Sequence, residues 1–149
     1  QRVGHVYAFE PHPTTFQCLR ANVALNGLTN VTVYPLALWD TPAILRIEAH
    51  EGGNVGGTQV RDNMTNEWHT PCAAVPLDSI VPPPMDILKV DCEGSDDKVL
   101  RGARYLIQQS SGIRVFAEGG GDVWADLGLA EVRRTTNGGQ GPCYHLVKS

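Results

Sequence analysis

Acidic side chains stand immediately after three short apolar runs of this 149-residue chain. Glu10 follows Val6-Tyr7-Ala8-Phe9, Asp91 and Glu93 follow Ile87-Leu88-Lys89-Val90, and Glu118 follows Ile113 to Ala117. In an open α/β sheet, ligands settle beyond the carboxyl ends of the strands, so acids at those ends are expected to converge on one crevice. A carboxylate at Glu10 can accept both hydroxyls of a ribose, the device by which nucleotide folds hold adenosine. Glu10-Pro11 also simply ends a strand, so that pair alone is not specific. Asp91-x-Glu93-Gly94 says more, because acids beside an apolar strand are costly unless they are paired or solvated in a cleft. Gly94 lets the backbone turn sharply into the next element. Lys89 is a cation inside an apolar strand, and an acid across the crevice is its expected partner. The plainer account of the same residues is an internal ion pair that fixes the strand end.

The elements that must position these groups are legible from periodicity. Val3 to Phe9 reads as a core strand stopped by Pro11. Thr14 to Asn26 places Phe16, Leu19 and Val23 on one helical face, with Gly27 as a stop. Val31 to Leu38 returns to strand character. Strand, helix and strand with short connections form the unit of a parallel sheet. Ile87 to Val90 is a second buried-strand signature, entered through the stiff Pro82-Pro83-Pro84 connector. A helix from about Asp96 to Gln108 follows, with Val99, Leu100, Ala103, Leu106 and Ile107 as its stripe and Asp96 and Asp97 in its first turn, where negative charge suits the helix dipole. Ile113 to Ala117 is another strand, closed by Glu118 and a run of glycines. Glu131 to Thr135 and Tyr144 to Val147, around Asn137-Gly138-Gly139, read as a terminal hairpin.

Between these blocks, Ile44 to Ile47 and Ala73 to Val75 read as short strands. They flank a polar stretch bearing Gly52, Gly53, Gly56 and Gly57, which reads as a mobile loop. A loop of that length is either a lid or substrate loop, or plain surface disorder.

Composition limits the classes. With 42% hydrophobic and 19% charged residues the chain can build a core and does not have a disordered profile. A net charge of −4, with no Lys/Arg cluster, disfavours nucleic acid and anionic membrane surfaces as partners. No apolar run is long enough to span a bilayer. The cysteines, Cys18, Cys72, Cys92 and Cys143, have no C-x-x-C spacing and no histidine at metal distance, so zinc is not expected. Buried free thiols in a reducing, cytoplasmic setting are the default. Asn30 and Asn63 begin N-x-T triplets that would matter only in a secreted protein.

Three blocks together carry a resemblance. Val6-Tyr7-Ala8-Phe9-Glu10-Pro11 leads into Leu19, Asn22, Val23 and Asn26 and then Asn30-Val31. Pro76-Leu77-Asp78-Ser79-Ile80 leads into Asp86-Ile87-Leu88-Lys89-Val90-Asp91-Cys92-Glu93-Gly94. Val99-Leu100-Arg101-Gly102-Ala103 and the later Glu118 close the series. In this order, over nearly the whole chain, the blocks resemble the FkbM family of methyltransferases. The resemblance implies one α/β domain over residues 1–149 with a Rossmann-like sheet, mostly parallel with a C-terminal antiparallel hairpin. It implies S-adenosylmethionine as cofactor and O-methylation of a hydroxyl on a sugar or secondary metabolite, so the partner would be a small-molecule or glycan acceptor. Glu10, with Pro11, would hold the cofactor ribose, and the turn near Ala37 and Leu38 would border the adenine. Asp91 would face the methyl-transfer site, and Glu93 and Lys89 would shape or polarise that pocket. A strand-end carboxylate near the acceptor is a sensible base, although alignment of donor and acceptor can supply much of the rate. His12 and His69 are alternative bases, with solvated loop histidines as the plainer reading.

The departures also carry expectations. Family members precede the Glu10 strand with a strand, a glycine-rich turn and a helix, which wrap the methionine part of the cofactor. That first strand and helix are missing ahead of Gln1, so the chain alone is expected to bind cofactor weakly and the native gene to be longer. Asp96 stands where the family tends to have Glu. A metal site of catechol type on Asp91 and Glu93 lacks a further clear ligand. Two other readings stand beside the first. One is a dinucleotide oxidoreductase, against which no G-x-G-x-x-G precedes Glu10. The other is a non-catalytic remnant kept as a binding module.

Overall fold

A computed structural model of the chain describes residues 4–48, 59–62, 70–136 and 142–148. It divides into two compact units, Gln1–Ala37 with Ala43–Ala74, and Leu38–Pro42 with Val75–Ser149.

The first unit opens with β1 (Val6–Phe9), α1 (Pro13–Leu25) and β2 (Val31–Tyr34). β1 and β2 pair in parallel, with Val6 opposite Val31 and Phe9 opposite Tyr34, as the strand–helix–strand pattern predicts. Pro13 begins α1, where its missing N–H costs nothing. Beyond the helix, Gly27 takes φ 60°, a left-handed turn that favours glycine. Of the core strand expected from Val3, which lies outside the described residues, β1 has Val6 exposed and Tyr7 to Phe9 half-buried, and no residue of α1 is buried. Leu25 and Leu28 are 83% and 47% exposed. The strand expected from Val31 to Leu38 is broken at Pro35, which has no N–H to give a ladder. It resumes as β3 (Ala37–Leu38) in a different sheet, ordered β3-β6-β4-β5. There β4 (Ala43–Glu48) lies antiparallel to β5 (Gln59–Arg61) and β6 (Thr70–Val75). Leu45 and Ile47 point inward at 1% and 2% exposure while Ile44 faces out at 73%, the alternation of a half-buried strand. β5 falls inside the stretch read as loop. Gly52, Gly53, Gly56, Gly57, Asn63 and His69 lie outside the described residues.

The second unit holds a sheet ordered β7-β8-β10-β9. β7 (Ile87–Val90) and β8 (Arg114–Ala117) are parallel, with Val90 opposite Ala117. β10 (Pro142–Lys148) runs antiparallel to β8 and to β9 (Leu129–Thr136), which is the terminal hairpin predicted. The described pairings are therefore mixed. β1–β2 and β7–β8 are parallel, whereas β4 and β10 pair antiparallel with both neighbours. The mostly parallel sheet is not what the described pairings give, since the strands around β4 and β10 meet their neighbours with opposite chain direction.

The single helix expected over Asp96 to Gln108 is two, α2 (Asp96–Gly102) and α3 (Arg104–Gln109). The Asp78 carboxylate accepts hydrogen bonds from the backbone N–H groups of Tyr105 and Leu106, each at 2.8 Å. In an unbroken helix those N–H groups would bond to the preceding turn. Gly102 sits so close to Trp39 that a Cβ there would lie 2.0 Å from the Trp39 carbonyl oxygen. Leu100, Ala103, Leu106, Ile107, Ile113, Val115, Ala117 and Leu146 are completely buried and make up the core. Each such large side chain contributes on the order of 2 kcal/mol by burial.

Candidate active site

The carboxyl end of β7 runs into a tight turn, closed by a hydrogen bond of 3.1 Å from the Ser95 N–H to the Cys92 carbonyl. Its two inner residues, Glu93 and Gly94, both have positive φ, 47° and 93°. The sequence accounts for Gly94 but not for Glu93, since a side chain in the left-handed region costs about 1 kcal/mol. Asp91 and Glu93 are both exposed at this rim.

Lys89 is corrected by its position. Leu88 and Val90 point into the core, at 7% and 3% exposure, and Lys89 between them points out, with its side chain 70% exposed. Its Nζ donates to Asp91 Oδ2 at 2.7 Å, so the partner is two residues along the chain and not across a crevice. That hydrogen bond is the chief cause of a raised Lys89 pKa, working against partial desolvation. As an exposed pair it contributes under about 1 kcal/mol.

Glu118 ends the neighbouring strand and is half-buried. Partial desolvation, and then the like charges of Asp91, Glu93 and Asp96, hold its carboxyl above the ordinary range, with Lys89 pulling the other way. Those causes show that the ends of β7 and β8 share one electrostatic neighbourhood. Asp96, 2% exposed, anchors it, because its Oδ1 accepts from the Glu118 backbone N–H at 3.1 Å. Gly119 and Gly120, just after Glu118, pack against α2. A Cβ on Gly120, where φ is 85°, would fall 2.9 Å from Leu100 Cδ1 and 3.4 Å from Asp97 backbone atoms. The Trp124 indole N–H donates to the Gly119 carbonyl at 3.3 Å, and its ring meets Tyr144 edge-on. Sequence reasoning placed Asp96 only in a dipole role. The signal for its burial was present, since Asp96, Val99, Leu100 and Ala103 fall on one helical face.

The remaining predicted residues belong largely to the first unit. Glu10 is half-buried at the end of β1, where its backbone N–H donates to the Tyr34 carbonyl at 3.1 Å. Its Oε1 accepts from the His12 backbone N–H at 2.8 Å, which orients the carboxylate just beyond Pro11. His12, read as a loop residue, caps α1, and its Nδ1 faces the Thr15 N–H at 3.5 Å. Ala37 is buried and Leu38 half-buried. The residues just after them were missed. In the second unit, Trp39 is buried beneath Lys98, whose Nζ lies 5.6 Å from the ring centroid and 2.9 Å from Asp40 Oδ2.

Cys18 is exposed, contrary to the expectation of burial, while Cys72 is buried and all four cysteines are free. Among the described residues no three His, Cys, Asp or Glu side chains are arranged to hold a metal ion, and no helix is long and apolar enough to cross a membrane.

The methyltransferase FkbM domain family matches residues 1–120. The crystal structure of methyltransferase FkbM from Methylobacillus flagellatus KT is similar in fold, with a TM-score of 0.66 and 16% identity, over 95% of this chain and 36% of that one. This chain thus spans about a third of the length of that protein. No curated protein matches the chain. With most of its length matched by the family, this chain belongs to the FkbM methyltransferase domain family.

Proposed function

We propose that the protein is an S-adenosylmethionine-dependent O-methyltransferase acting on a hydroxyl of a sugar or secondary metabolite, either a small molecule or a glycan. Beyond family membership, one observation supports this reading. Pairing of Val90 with Ala117 brings the ends of β7 and β8, with Asp91, Glu93 and Glu118, to one rim, where the charges of the first two help to raise the Glu118 carboxyl. Free thiols at all four cysteines favour a cytoplasmic setting.

The chain's donor groups fit parts of the cofactor. Glu10 presents a carboxylate whose orientation is set by the His12 N–H, suited to a ribose diol. Leu38, half-buried, offers apolar surface for a purine, whereas buried Ala37 would act through its backbone. When bound, S-adenosylmethionine supplies an electrophilic methyl group on a sulfonium centre. Asp91 and Glu93, with Lys89 neutralising Asp91, would orient the acceptor hydroxyl toward it. A half-buried carboxylate at the rim would take the hydroxyl proton.

Calorimetric titration of the intact protein with S-adenosylmethionine tests the ribose assignment. Loss of hydrogen bonds to a charged acceptor at Glu10→Ala is expected to weaken binding by about 10-fold to 100-fold. Equal affinity in wild type and variant, with both folded by circular dichroism, removes Glu10 from the cofactor site.

A further inference from the structure

Several acids reach this rim, and they are not equivalent. Asp91 Oδ2 is taken up by the Lys89 ammonium at 2.7 Å, so an arriving proton would have to displace an ion pair. Glu93 is exposed on a left-handed turn. Glu118 differs from both. Its backbone is pinned by buried Asp96, it is half-buried, and among the described residues its carboxylate has neither a hydrogen bond nor an ion pair. We propose that Glu118 is the base that takes the acceptor's proton, and that Asp96 is the positioning residue that holds it at the rim. The assignment rests on the O-methyltransferase reading above and names the base within that site.

As the acceptor oxygen bonds to the methyl carbon, its O–H bond breaks and the proton passes to Glu118, which becomes a neutral carboxylic acid. The electrons of the carbon–sulfur bond leave with sulfur, which turns from sulfonium to thioether, so charge and atoms balance. The charged groups facing Glu118 are Asp91, Glu93 and Lys89 from β7 and its turn, and Asp96 from α2. Desolvation and the three acids favour the protonated form, and only Lys89 opposes them. A carboxylate with raised proton affinity is the better base near neutral pH. Asp96 contributes twice, by holding the Glu118 N–H and by adding like charge.

The two contributions separate in Asp96→Asn, because the amide oxygen can still accept the Glu118 N–H while the charge is gone. Carboxyl-labelled NMR titration of the intact protein is expected to show Glu118 losing its proton above the ordinary glutamate range. In Asp96→Asn that midpoint is expected to fall with the fold unchanged. Since the base must be ionised to act, the acid limb of the rate profile should move to lower pH in step. With methyl-labelled S-adenosylmethionine and neutral hexoses as probes, Glu118→Gln is expected to lower turnover by at least about 100-fold, with calorimetric cofactor affinity retained. Asp91→Asn is expected to lose less. A Glu118 that titrates within the ordinary glutamate range, a midpoint unmoved by Asp96→Asn, or Glu118→Gln turnover within about threefold of wild type overturns the assignment. A wild type that binds cofactor but labels no hexose overturns the sugar-hydroxyl reading, and the base assignment falls with it.

Discussion

Two stretches of the chain share a sequence pattern and differ in what they bury. Phe16, Leu19 and Val23 repeat along α1 much as Val99, Leu100, Ala103, Leu106 and Ile107 repeat along α2 and α3. The second set is sealed, with Leu100, Ala103, Leu106 and Ile107 at zero exposure. The first set is half-buried, and no residue of β1, α1 or β2 is buried. Periodicity reports which face can be covered, and only packing decides whether it is. The acids at the strand ends inherit the difference. Glu118 is held by buried Asp96 of α2, whereas the Glu10 carboxylate is oriented by a backbone N–H within its own turn.

Equal truncations in the two stretches offer the largest test of this contrast. Leu106→Ala is expected to cost about 3 kcal/mol of stability, from lost burial and the cavity left behind. Leu19→Ala, on the half-buried face, is expected to cost about 1 kcal/mol or less. Urea unfolding of both variants measures the gap, and equal losses would break the comparison.

A smaller effect of opposite sign sharpens it at the rim. Glu93 is the described non-glycine residue held at positive φ, so Glu93→Gly is expected to raise stability by roughly 0.5–1 kcal/mol. The midpoint of thermal unfolding reads this directly. A loss of stability would mean that the Glu93 side chain contributes more than its backbone strain costs.

Much of this was legible in the sequence. The β1–α1–β2 unit, the strand at Ile87 to Val90 and the terminal hairpin follow from apolar period and turn residues, because those signals are local. The break at Ala103 was not legible, since it depends on Asp78, remote in sequence, offering its carboxylate to Tyr105 and Leu106. Pro35 was a local signal that a purely apolar reading of Val31 to Leu38 passes over. Lys89 was misplaced because its run looked apolar throughout, although strand alternation alone turns it outward, away from the side that Leu88 and Val90 occupy. The acids at the strand ends were found for the opposite reason, as polar residues interrupting apolar runs need no partner to be noticed. What each acid does depends on its neighbours, and those are long-range.

Ligand-dependent thermal unfolding of the intact protein tests the cofactor assignment most directly. S-adenosylmethionine at about 100 times its dissociation constant is expected to stabilise the folded protein by about 2.7 kcal/mol, a rise of several degrees, with no comparable effect from NAD. Protection by NAD alone, or no shift with S-adenosylmethionine, would contradict the methyl-transfer function proposed for this chain.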